Sequence, residues 1–290
     1  MNRASGFVLA LLVPLLPLCR TPASGVPATR TPASAVPSSH SVAVRPHVVI
    51  VVFENRGYSA VIGSRRAPYL NSLAKAGALA TNETAVTHPS LPNYIAMTSG
   101  FTCGYTSDNT SRLCEDDNLF AQVDASGLTW HAWAESIPST CDPIRSSGLY
   151  AKKHVPALMY TAPGCAGRVT AQPPASLPDL LFVSPNMCND MHDCKVKIGD
   201  QWASQNLAPI IASMSGSDVM FITMDEHSGD DSGSGGGKIF TICAGPGCTP
   251  GGVDDHVYDH YDLLRTVQDL LGLPCLKASC SGTEMSGLLK

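Results

Sequence analysis

The apolar positions of this sequence fall into short segments of two kinds, which alternate along the chain. Val48–Phe53 is continuously apolar and mostly valine, a pattern typical of a strand that is buried on both faces. Shorter runs of this kind predict further strands over residues 128–133, 180–184, 219–223 and 238–244. One-sided apolar patterns predict helices over residues 68–76, 94–99, 118–126 and 261–271. The alternation predicts an α/β fold, a three-layer αβα sandwich with a mostly parallel central sheet.

The first 46 residues have a different composition. Arg3 is followed by the apolar run Phe7–Leu18, which is typical of a signal peptide and is too short to span a bilayer. Residues 20–46 are rich in Pro, Ala, Thr and Ser and predict an extended linker. We therefore expect a signal peptide over residues 1–19, a linker over 20–46 and one folded domain over 47–290. Cys19 would also suit a lipoprotein anchor, but Leu18 matches poorly the small residue such a site prefers, so secretion is the favoured expectation.

Composition and charge limit the possible partners. Apolar residues make up 44% of the 290 residues and charged residues only 15%, which suits a sizeable core and argues against global disorder. The formal net charge is -5 and no run of Lys or Arg occurs, which argues against nucleic acid as the main partner. No later segment approaches about 18 consecutive apolar residues, so no transmembrane segment is expected.

Ten cysteines follow Cys19, and an even number in an exported chain favours disulfides over free thiols. A zinc site is the competing interpretation, but no two of them have the C-x2-C spacing. Their order suggests that neighbours pair along the chain, with Cys188–Cys194 and Cys243–Cys248 at least. The ten are Cys103, Cys114, Cys141, Cys165, Cys188, Cys194, Cys243, Cys248, Cys275 and Cys280.

Polar clusters follow three of the predicted strands directly. Because ligands bind at the carboxyl ends of strands in open α/β sheets, we expect the clusters to share one site. Oxygen donors in the first and third clusters suit a hard divalent cation such as Ca²⁺, Mg²⁺ or Mn²⁺, and nearby histidines leave a zinc-like position open. The clusters are Glu54-Asn55, then Asn186, Asn189, Asp190 and His192, then Asp225-Glu226-His227.

The segment Thr87–Tyr94 places a serine between two prolines, just before a predicted helix. Ser90 would then lie near a helix N-terminus, where unpaired N–H groups and the helix dipole favour an anion. A serine hydroxyl becomes a nucleophile only when a base or a metal activates it. The alternative is a proline-rich turn with Ser90 as a helix N-cap, and this segment alone does not separate the two.

Five motifs in this order resemble the bacterial phosphoesterase family of secreted acid phosphatases and phospholipases C, which is related to the alkaline phosphatase superfamily. The resemblance runs from about His47 to Pro274 and implies an alkaline-phosphatase-like fold. Two features depart from the pattern: His227 after the acidic pair, and the long loop 228–237. The motifs are Phe53-Glu54-Asn55, His88-Pro-Ser-Leu-Pro-Asn93, Pro185–Asp193, Asp225-Glu226 with a Gly-rich loop, and His260–Arg265.

The resemblance also implies roles for individual residues. Ser90 would be the nucleophile beside the metal, and His192 and Asn93 would contact the phosphoryl oxygens, with Asn189 and Asp190 from the same loop as His192 also near the substrate. His88 and His260 would support the site or transfer protons. The implied metal ligands are Glu54, Asn55, Asp225 and Glu226. His131 and His154 lie outside the motifs and are expected to be packing or surface residues.

These roles predict a secreted, metal-dependent phosphomonoesterase that acts by two in-line displacements through a phosphoserine. His192 would protonate the leaving oxygen. The length fits the compact branch of the family, which acts on phosphatidylinositol 3-phosphate and simple monoesters, so the expected substrate is a phosphorylated small molecule or a phosphoinositide. One alternative is a phospholipase C that cleaves diesters. The other is a catalytically silent secreted module that binds metal or phosphate.

Overall fold

The computed structural model describes residues 45–227 and 235–290. The predicted signal peptide, the predicted linker up to residue 44, and most of the loop 228–237 lie outside the described residues. Strands are β1 Val48–Phe53, β2 Ala78–Thr84, β3 Trp130–Ala134, β4 Ser146–Ser147, β5 Tyr150–Ala151, β6 Val169–Thr170, β7 Leu180–Ser184, β8 Val219–Met224, β9 Lys238–Ala244 and β10 Gly252–Asp254. Helices are α1 Tyr58–Val61, α2 Pro68–Ala76, α3 Ser90–Ser99, α4 Leu119–Ala125, α5 Val196–Ser213 and α6 His260–Leu271.

Within the described residues, eight strands form one sheet in the order β10-β2-β9-β8-β1-β7-β3-β6. Strand β9 runs antiparallel to both of its neighbours, β2 and β8, and the other pairings in this sheet are parallel. The short strands β4 and β5 form a separate antiparallel pair. The prediction of a mostly parallel sheet is therefore confirmed.

The central strand β1 shows why the sheet needs helices on both faces. All six of its residues are buried, and alternate residues belong to two different hydrophobic clusters. Val48, Ile50 and Val52 face the cluster that includes helices α3, α4 and α6. Val49, Val51 and Phe53 face the cluster that includes α1, α2 and α5. Two apolar faces with helices packed on each make the three-layer αβα sandwich, as predicted.

Several element boundaries differ from the sequence prediction. Helix α3 begins at Ser90, not at residue 94, and α4 begins after Asn118, whose side chain accepts a hydrogen bond from Ala121 N as an N-cap. Helix α6 begins one residue early, with Asp259 as the first half of a capping box. Helix α5 and strand β2 were not predicted at all.

Within the described residues, each of five disulfides joins cysteines that are neighbours in the sequence, which confirms the predicted pairing. Two of them were predicted individually, Cys188–Cys194 and Cys243–Cys248, and the others are Cys103–Cys114, Cys141–Cys165 and Cys275–Cys280. Among the described residues, no helix has both the length and the apolar character that a membrane crossing requires.

Candidate active site

The polar residues that follow β1, β7 and β8 meet at one edge of the sheet, as the strand order requires. These three strands are adjacent and parallel, so their carboxyl ends lie side by side. Glu54 N donates to Asp190 O at 2.8 Å, and Asn55 N donates to Asp225 Oδ1 at 3.0 Å. The backbone therefore fixes the three segments to one another before any ligand is considered.

Ser90 is the first residue of α3, and its hydroxyl lies between two carboxylates. Its Oγ is 3.1 Å from Glu54 Oε2 and 3.1 Å from Glu226 Oε1. The N-cap of the helix is Pro89, and no side chain caps it. The Ser90 hydroxyl is thus directed toward acidic side chains and not toward the helix backbone, which removes the alternative of a serine N-cap.

Glu54 is completely buried and forms the centre of the acidic cluster. Its Oε1 accepts a hydrogen bond from the Tyr94 hydroxyl at 2.6 Å, and its Oε2 accepts one from Asn55 Nδ2 at 3.2 Å. Burial, together with the negative charges of Asp225 and Asp190, raises the pKa of Glu54 well above its ordinary value. A positive charge close to Glu54 would favour its ionised form.

Asp225 is also completely buried, and its Oδ2 has no hydrogen-bond partner among the described residues. Burial and the charge of Glu226 raise the pKa of Asp225 to about 7. Asn55, which binds the other oxygen of Asp225, adopts a left-handed backbone conformation with φ of 55°. Asparagine tolerates this conformation better than most residues, and such strain is common at functional sites.

These observations fit a divalent cation at this edge of the sheet. Oxygen donors that are buried, mutually repelling and incompletely hydrogen bonded are the ligands that hard cations prefer. The four residues expected to hold a cation, Glu54, Asn55, Asp225 and Glu226, all lie at this edge of the sheet. The three carboxylates do not offer oxygens that all lie within 4.8 Å of one another, so a bound ion would draw at least one of them inward.

Glu226 links the serine to a histidine. Its Oε1 faces Ser90, and its Oε2 contacts His88 Nδ1. The His88 side chain is half exposed, whereas that of Glu226 is 6% exposed. Among the described residues, Glu226 Oε1 accepts a hydrogen bond only from Ser90.

A lysine that no motif contains also reaches the serine. Lys153 Nζ lies 3.5 Å from Ser90 Oγ and 2.8 Å from Asp108 Oδ2. Burial alone would lower the pKa of Lys153, but the hydrogen bond to Asp108 and the negative charges of Glu54 and Asp225 raise it overall. The side chain therefore places a permanent positive charge beside Ser90.

Asp108 couples this lysine to the start of α3. Its Oδ1 accepts a hydrogen bond from Leu91 N at 3.0 Å, while its Oδ2 holds Lys153. The sequence led us to expect that free N–H groups at this helix end would receive a phosphate. One of these groups, Leu91 N, is already occupied by Asp108, and Lys153 supplies a positive charge beside the serine.

His154 lies inside the cluster, which corrects the expectation that it is an ordinary packing or surface residue. It is buried, and its Nε2 lies 3.1 Å from Glu54 Oε1 while its Nδ1 lies 3.3 Å from Asp190 Oδ2. Its ring stacks on Tyr94 with centroids 5.4 Å apart. Burial lowers the pKa of His154 well below its ordinary value. The histidine therefore separates two carboxylates and fixes their spacing.

The loop between Cys188 and Cys194 carries His192 to the rim of the site. His192 Nδ1 contacts Asp193 Oδ1 at 2.8 Å, and its ring centroid lies 5.9 Å from that of His154. Its backbone N–H donates to Asp190 Oδ1 at 2.7 Å. Gly199 of α5 allows the close approach of this loop, because a Cβ there would meet Met191 Cγ at 2.5 Å. The disulfide and the packing of the loop against Gly199 hold His192 at the rim of the acidic cluster.

Three predicted residues support the site from outside and do not face Ser90. The Asn93 amide is committed to the preceding loop, with Oδ1 accepting from Thr87 N and Nδ2 donating to Thr87 O. Asn189 Nδ2 donates to both oxygens of Glu135. The geometry thus favours loop bracing over the phosphate contacts expected of Asn93 and Asn189.

His260 is the third residue of this kind. It is completely buried, and its Nε2 contacts Asp225 O at 2.7 Å. Burial lowers the pKa of His260 to about 4. A histidine that stays neutral and faces a backbone carbonyl holds Asp225 in place, so the geometry favours support over proton transfer.

Comparison with known proteins gives a consistent result. The model of the Phosphoesterase family matches residues 64–274. A phosphatidylinositol-3-phosphatase from Mycobacterium tuberculosis is 36% identical over 240 residues, covering 79% of this chain and 77% of that protein. A phosphate-repressible acid phosphatase from Penicillium chrysogenum is 28% identical over 229 residues, covering 71% of this chain but only 55% of the fungal protein.

Solved structures of low sequence similarity share the fold. A protein of the alkaline phosphatase superfamily from Vibrio parahaemolyticus superposes with a TM-score of 0.56 at 13% identity. The superposition covers 84% of this chain and 72% of that protein. The alkaline-phosphatase-like fold predicted from the sequence is therefore confirmed.

Proposed function

This chain belongs to the phosphoesterase family, and we propose that it is a metal-dependent phosphomonoesterase that uses Ser90 as a covalent nucleophile. One observation carries the proposal: the Ser90 hydroxyl lies between the carboxylates of Glu54 and Glu226 and 3.5 Å from the ammonium group of Lys153. This places a nucleophile, a proton acceptor and a positive charge around one oxygen atom. A module that only binds phosphate has no need of the proton acceptor.

Glu226 is the proposed proton acceptor. Glu54 already accepts hydrogen bonds from Tyr94 and Asn55, whereas Glu226 Oε1 faces the serine. As Ser90 Oγ bonds to phosphorus, its proton passes to Glu226, and the contact with His88 orients that carboxylate. The bond from phosphorus to the leaving oxygen breaks at the opposite side, which leaves a phosphoserine for water to hydrolyse.

Two positive charges would balance the phosphate. Lys153 faces the oxygens of the transferring group, where negative charge is concentrated, and Asp108 keeps the lysine in place. A divalent cation held by Glu54, Asn55 and Asp225 would act as a Lewis acid that favours the ionised serine, and Glu226, the fourth predicted ligand, would remain the proton acceptor. Positioning and charge stabilisation supply most of the acceleration in reactions of this type.

His192 is the proposed proton donor to the leaving oxygen. It lies at the rim of the site, partly exposed, on a loop that a disulfide closes. Asp193 contacts its Nδ1, so the Nε2 side of the ring is left for the substrate. In the second step the same histidine would accept a proton from the attacking water.

We also propose that the protein is exported, with residues 1–19 as a signal peptide and 20–46 as a linker before the catalytic domain. Five disulfides support an oxidising compartment. The similarity to a phosphatidylinositol-3-phosphatase supports a phosphoinositide or another phosphomonoester as the substrate. The fungal acid phosphatases are about twice as long as the matched segment, so their substrates are a weaker guide.

The test is the Ser90→Ala variant with two chromogenic substrates, p-nitrophenyl phosphate and p-nitrophenyl phosphocholine. We expect the wild type to cleave the monoester in preference to the diester, and Ser90→Ala to cleave neither. The variant should retain its fold, because it loses one hydroxyl and no apolar contact, a cost of about 1 kcal/mol or less. Ser99→Ala, which removes a buried hydroxyl from the other end of α3, is the matched control and should retain activity.

A trapping experiment separates the covalent route from direct attack by water. Acid quenching of the wild type during turnover of a labelled phosphomonoester should leave the label on the peptide that contains Ser90. Near-normal turnover by Ser90→Ala would contradict the covalent route. Label on His88 or His192 would move the nucleophile to a histidine, and a preference for the diester would favour a phospholipase C.

A further inference from the structure

A small cavity opens beside the nucleophile on the side of Lys153. Its volume is about 280 Å³, and its wall includes Lys153, Asp108, Thr110, Arg145 and Met187. Lys153 links the cavity to the chemistry, because it is one of the lining residues and its ammonium group is 3.5 Å from Ser90 Oγ. A substrate whose phosphoryl group lies at Ser90 would therefore have this cavity nearby.

Arg145 gives the cavity a second positive charge. The side chain is exposed, and its guanidinium makes no hydrogen bond or ion pair with any other described residue. Arg145 lies just before β4, whose pairing with β5 brings the start of the segment 152–154 close, and Lys152 N donates to Arg145 O at 3.0 Å. The two cations thus lie on one continuous piece of structure, with Lys153 toward the serine and Arg145 toward solvent.

The charge and size of the cavity define what would occupy it. Lys153 is already paired with Asp108, whereas Arg145 has a free planar guanidinium of the kind that binds phosphate in a bidentate manner. The volume is below the ~300–1,000 Å³ of pockets for drug-sized ligands. A single ring with one anionic substituent fits this size and charge.

A second basic cavity is a rival candidate. It has a volume of about 500 Å³ and is lined by Arg56, Arg66 and Lys195 among others. Arg56 donates through Nη2 to the carbonyls of Met191 and Cys194, so one of the positive charges of this cavity is already hydrogen bonded to the loop that carries His192. Among the described residues, none that line this cavity has a hydrogen bond to Ser90, which makes it the weaker candidate.

We infer that the cavity between Lys153 and Arg145 is a leaving-group subsite, and that it selects phosphomonoesters whose leaving group carries a second anionic group, which Arg145 binds. The inference rests on the proposed function in that the first phosphate lies at Ser90. The shared chemistry is a bisphosphorylated ring, which occurs both in a soluble polyol bisphosphate and in the headgroup of a phosphorylated inositol lipid.

Binding to the Ser90→Ala protein tests the subsite independently of turnover. The probes are inositol 3-phosphate and inositol 1,3-bisphosphate, which differ by the second phosphate alone, and titration calorimetry gives their Kd values. We expect the bisphosphate to bind about tenfold more tightly, as one charge-assisted contact to an exposed arginine would give. Adding Arg145→Met should reduce the ratio to about twofold or less, whereas Arg66→Met, in the rival cavity, should leave it unchanged.

Kinetic measurements on the enzyme with Ser90 intact show whether the phosphorylated ring comes from a soluble compound or from a lipid headgroup. The soluble bisphosphate is compared with vesicles that contain a few per cent phosphatidylinositol 3-phosphate, and Arg145→Met should lower kcat/KM for whichever source the subsite accepts. Equal affinity for the two soluble probes would overturn the inference, as would loss of the preference in Arg66→Met. If the binding preference depends on Arg145 but the wild type hydrolyses no phosphomonoester, the proposed function fails and the subsite stands.

Discussion

Replacing Lys153 by methionine tests whether the lysine stabilises the transferring phosphoryl group. Methionine keeps the approximate length of the side chain and removes its charge. Lys153 is the cation near Ser90 Oγ that no sequence motif contains, and Asp108 holds it there through a 2.8 Å hydrogen bond. The substitution therefore removes a positive charge from the reacting atoms and leaves the carboxylates around Ser90 in place.

The distance sets the expected size of the effect. Two unit charges 3.5 Å apart interact by about 5 kcal/mol at an effective dielectric constant of about 20. The lysine side chain is 18% exposed, so solvent screens part of this energy. Removing one oxyanion-stabilising donor from an enzyme costs about 10²–10³-fold in kcat. We therefore expect Lys153→Met to lower kcat/KM for p-nitrophenyl phosphate by about 10²–10³-fold.

The assay must separate lost charge from lost packing. Lys153→Arg should recover part of the activity because it restores the charge, and Lys197→Met, an exposed lysine on α5, is the matched control and should stay near wild type. Inhibition by vanadate, which mimics the pentacoordinate transition state, should weaken in parallel with kcat/KM. The lost pair with Asp108 should cost about 1 kcal/mol, or about 2–4 °C in Tm. The reasoning is refuted if Lys153→Met stays within threefold of wild type, or if its Tm collapses and Lys153→Arg recovers neither activity nor stability.

Two further predictions concern buried carboxyls. Mg²⁺, Ca²⁺, Mn²⁺ or Zn²⁺ should raise the Tm of the chelator-treated wild type and restore its activity, whereas Asp225→Asn should show neither response; a cation-induced Tm shift of normal size in the variant would remove Asp225 from the ligand set. Glu83 is completely buried, with neither oxygen hydrogen bonded among the described residues, and burial raises its pKa to about 8. The native state therefore keeps a proton that the unfolded state releases above about pH 4.5, so stability should fall as the pH rises from there to about 8. Glu83→Gln should be more stable than wild type at pH 8 and similar at pH 4, and parallel Tm–pH curves for the two proteins would contradict this.

The sequence was sufficient wherever a residue's role depends on its neighbours along the chain. The continuous apolar run of β1 predicts a strand buried on both faces, and Glu54 and Asn55 come directly after it. The rule that carboxyl ends of parallel strands meet at one edge then brings Asp225 and Glu226 to the same place. The order of the cysteines suggested that neighbours pair, since short loops close easily, and the structure was needed to fix the connectivity.

Local signals were insufficient where packing overrides propensity. Helix α5 contains Gly199 and Pro209, which disfavour a helix, and the structure forms one because its apolar face covers the sheet and Gly199 accommodates the loop of His192. Strand β2 includes polar residues such as Asn82 and Glu83, so it lacks the continuous apolar run by which the other strands were predicted. Its pairing with β9 and β10 supplies the hydrogen bonds that define it.

Only the tertiary structure revealed the basic residues of the candidate active site, Lys153 and His154. Lys153 is 63 residues from Ser90 and 45 residues from Asp108 in the sequence. The motif that contains Ser90 gives no indication that a lysine lies nearby. His154 likewise reaches Glu54 and Asp190 from a short 3-10 helix with no local signature. A carboxylate at the end of a strand can be recognised in the sequence, because the apolar pattern of the strand predicts where the carboxylate lies. A lysine or histidine on an irregular loop acquires its charge environment only when distant segments pack around it, so the fold had to be seen before its role could be inferred.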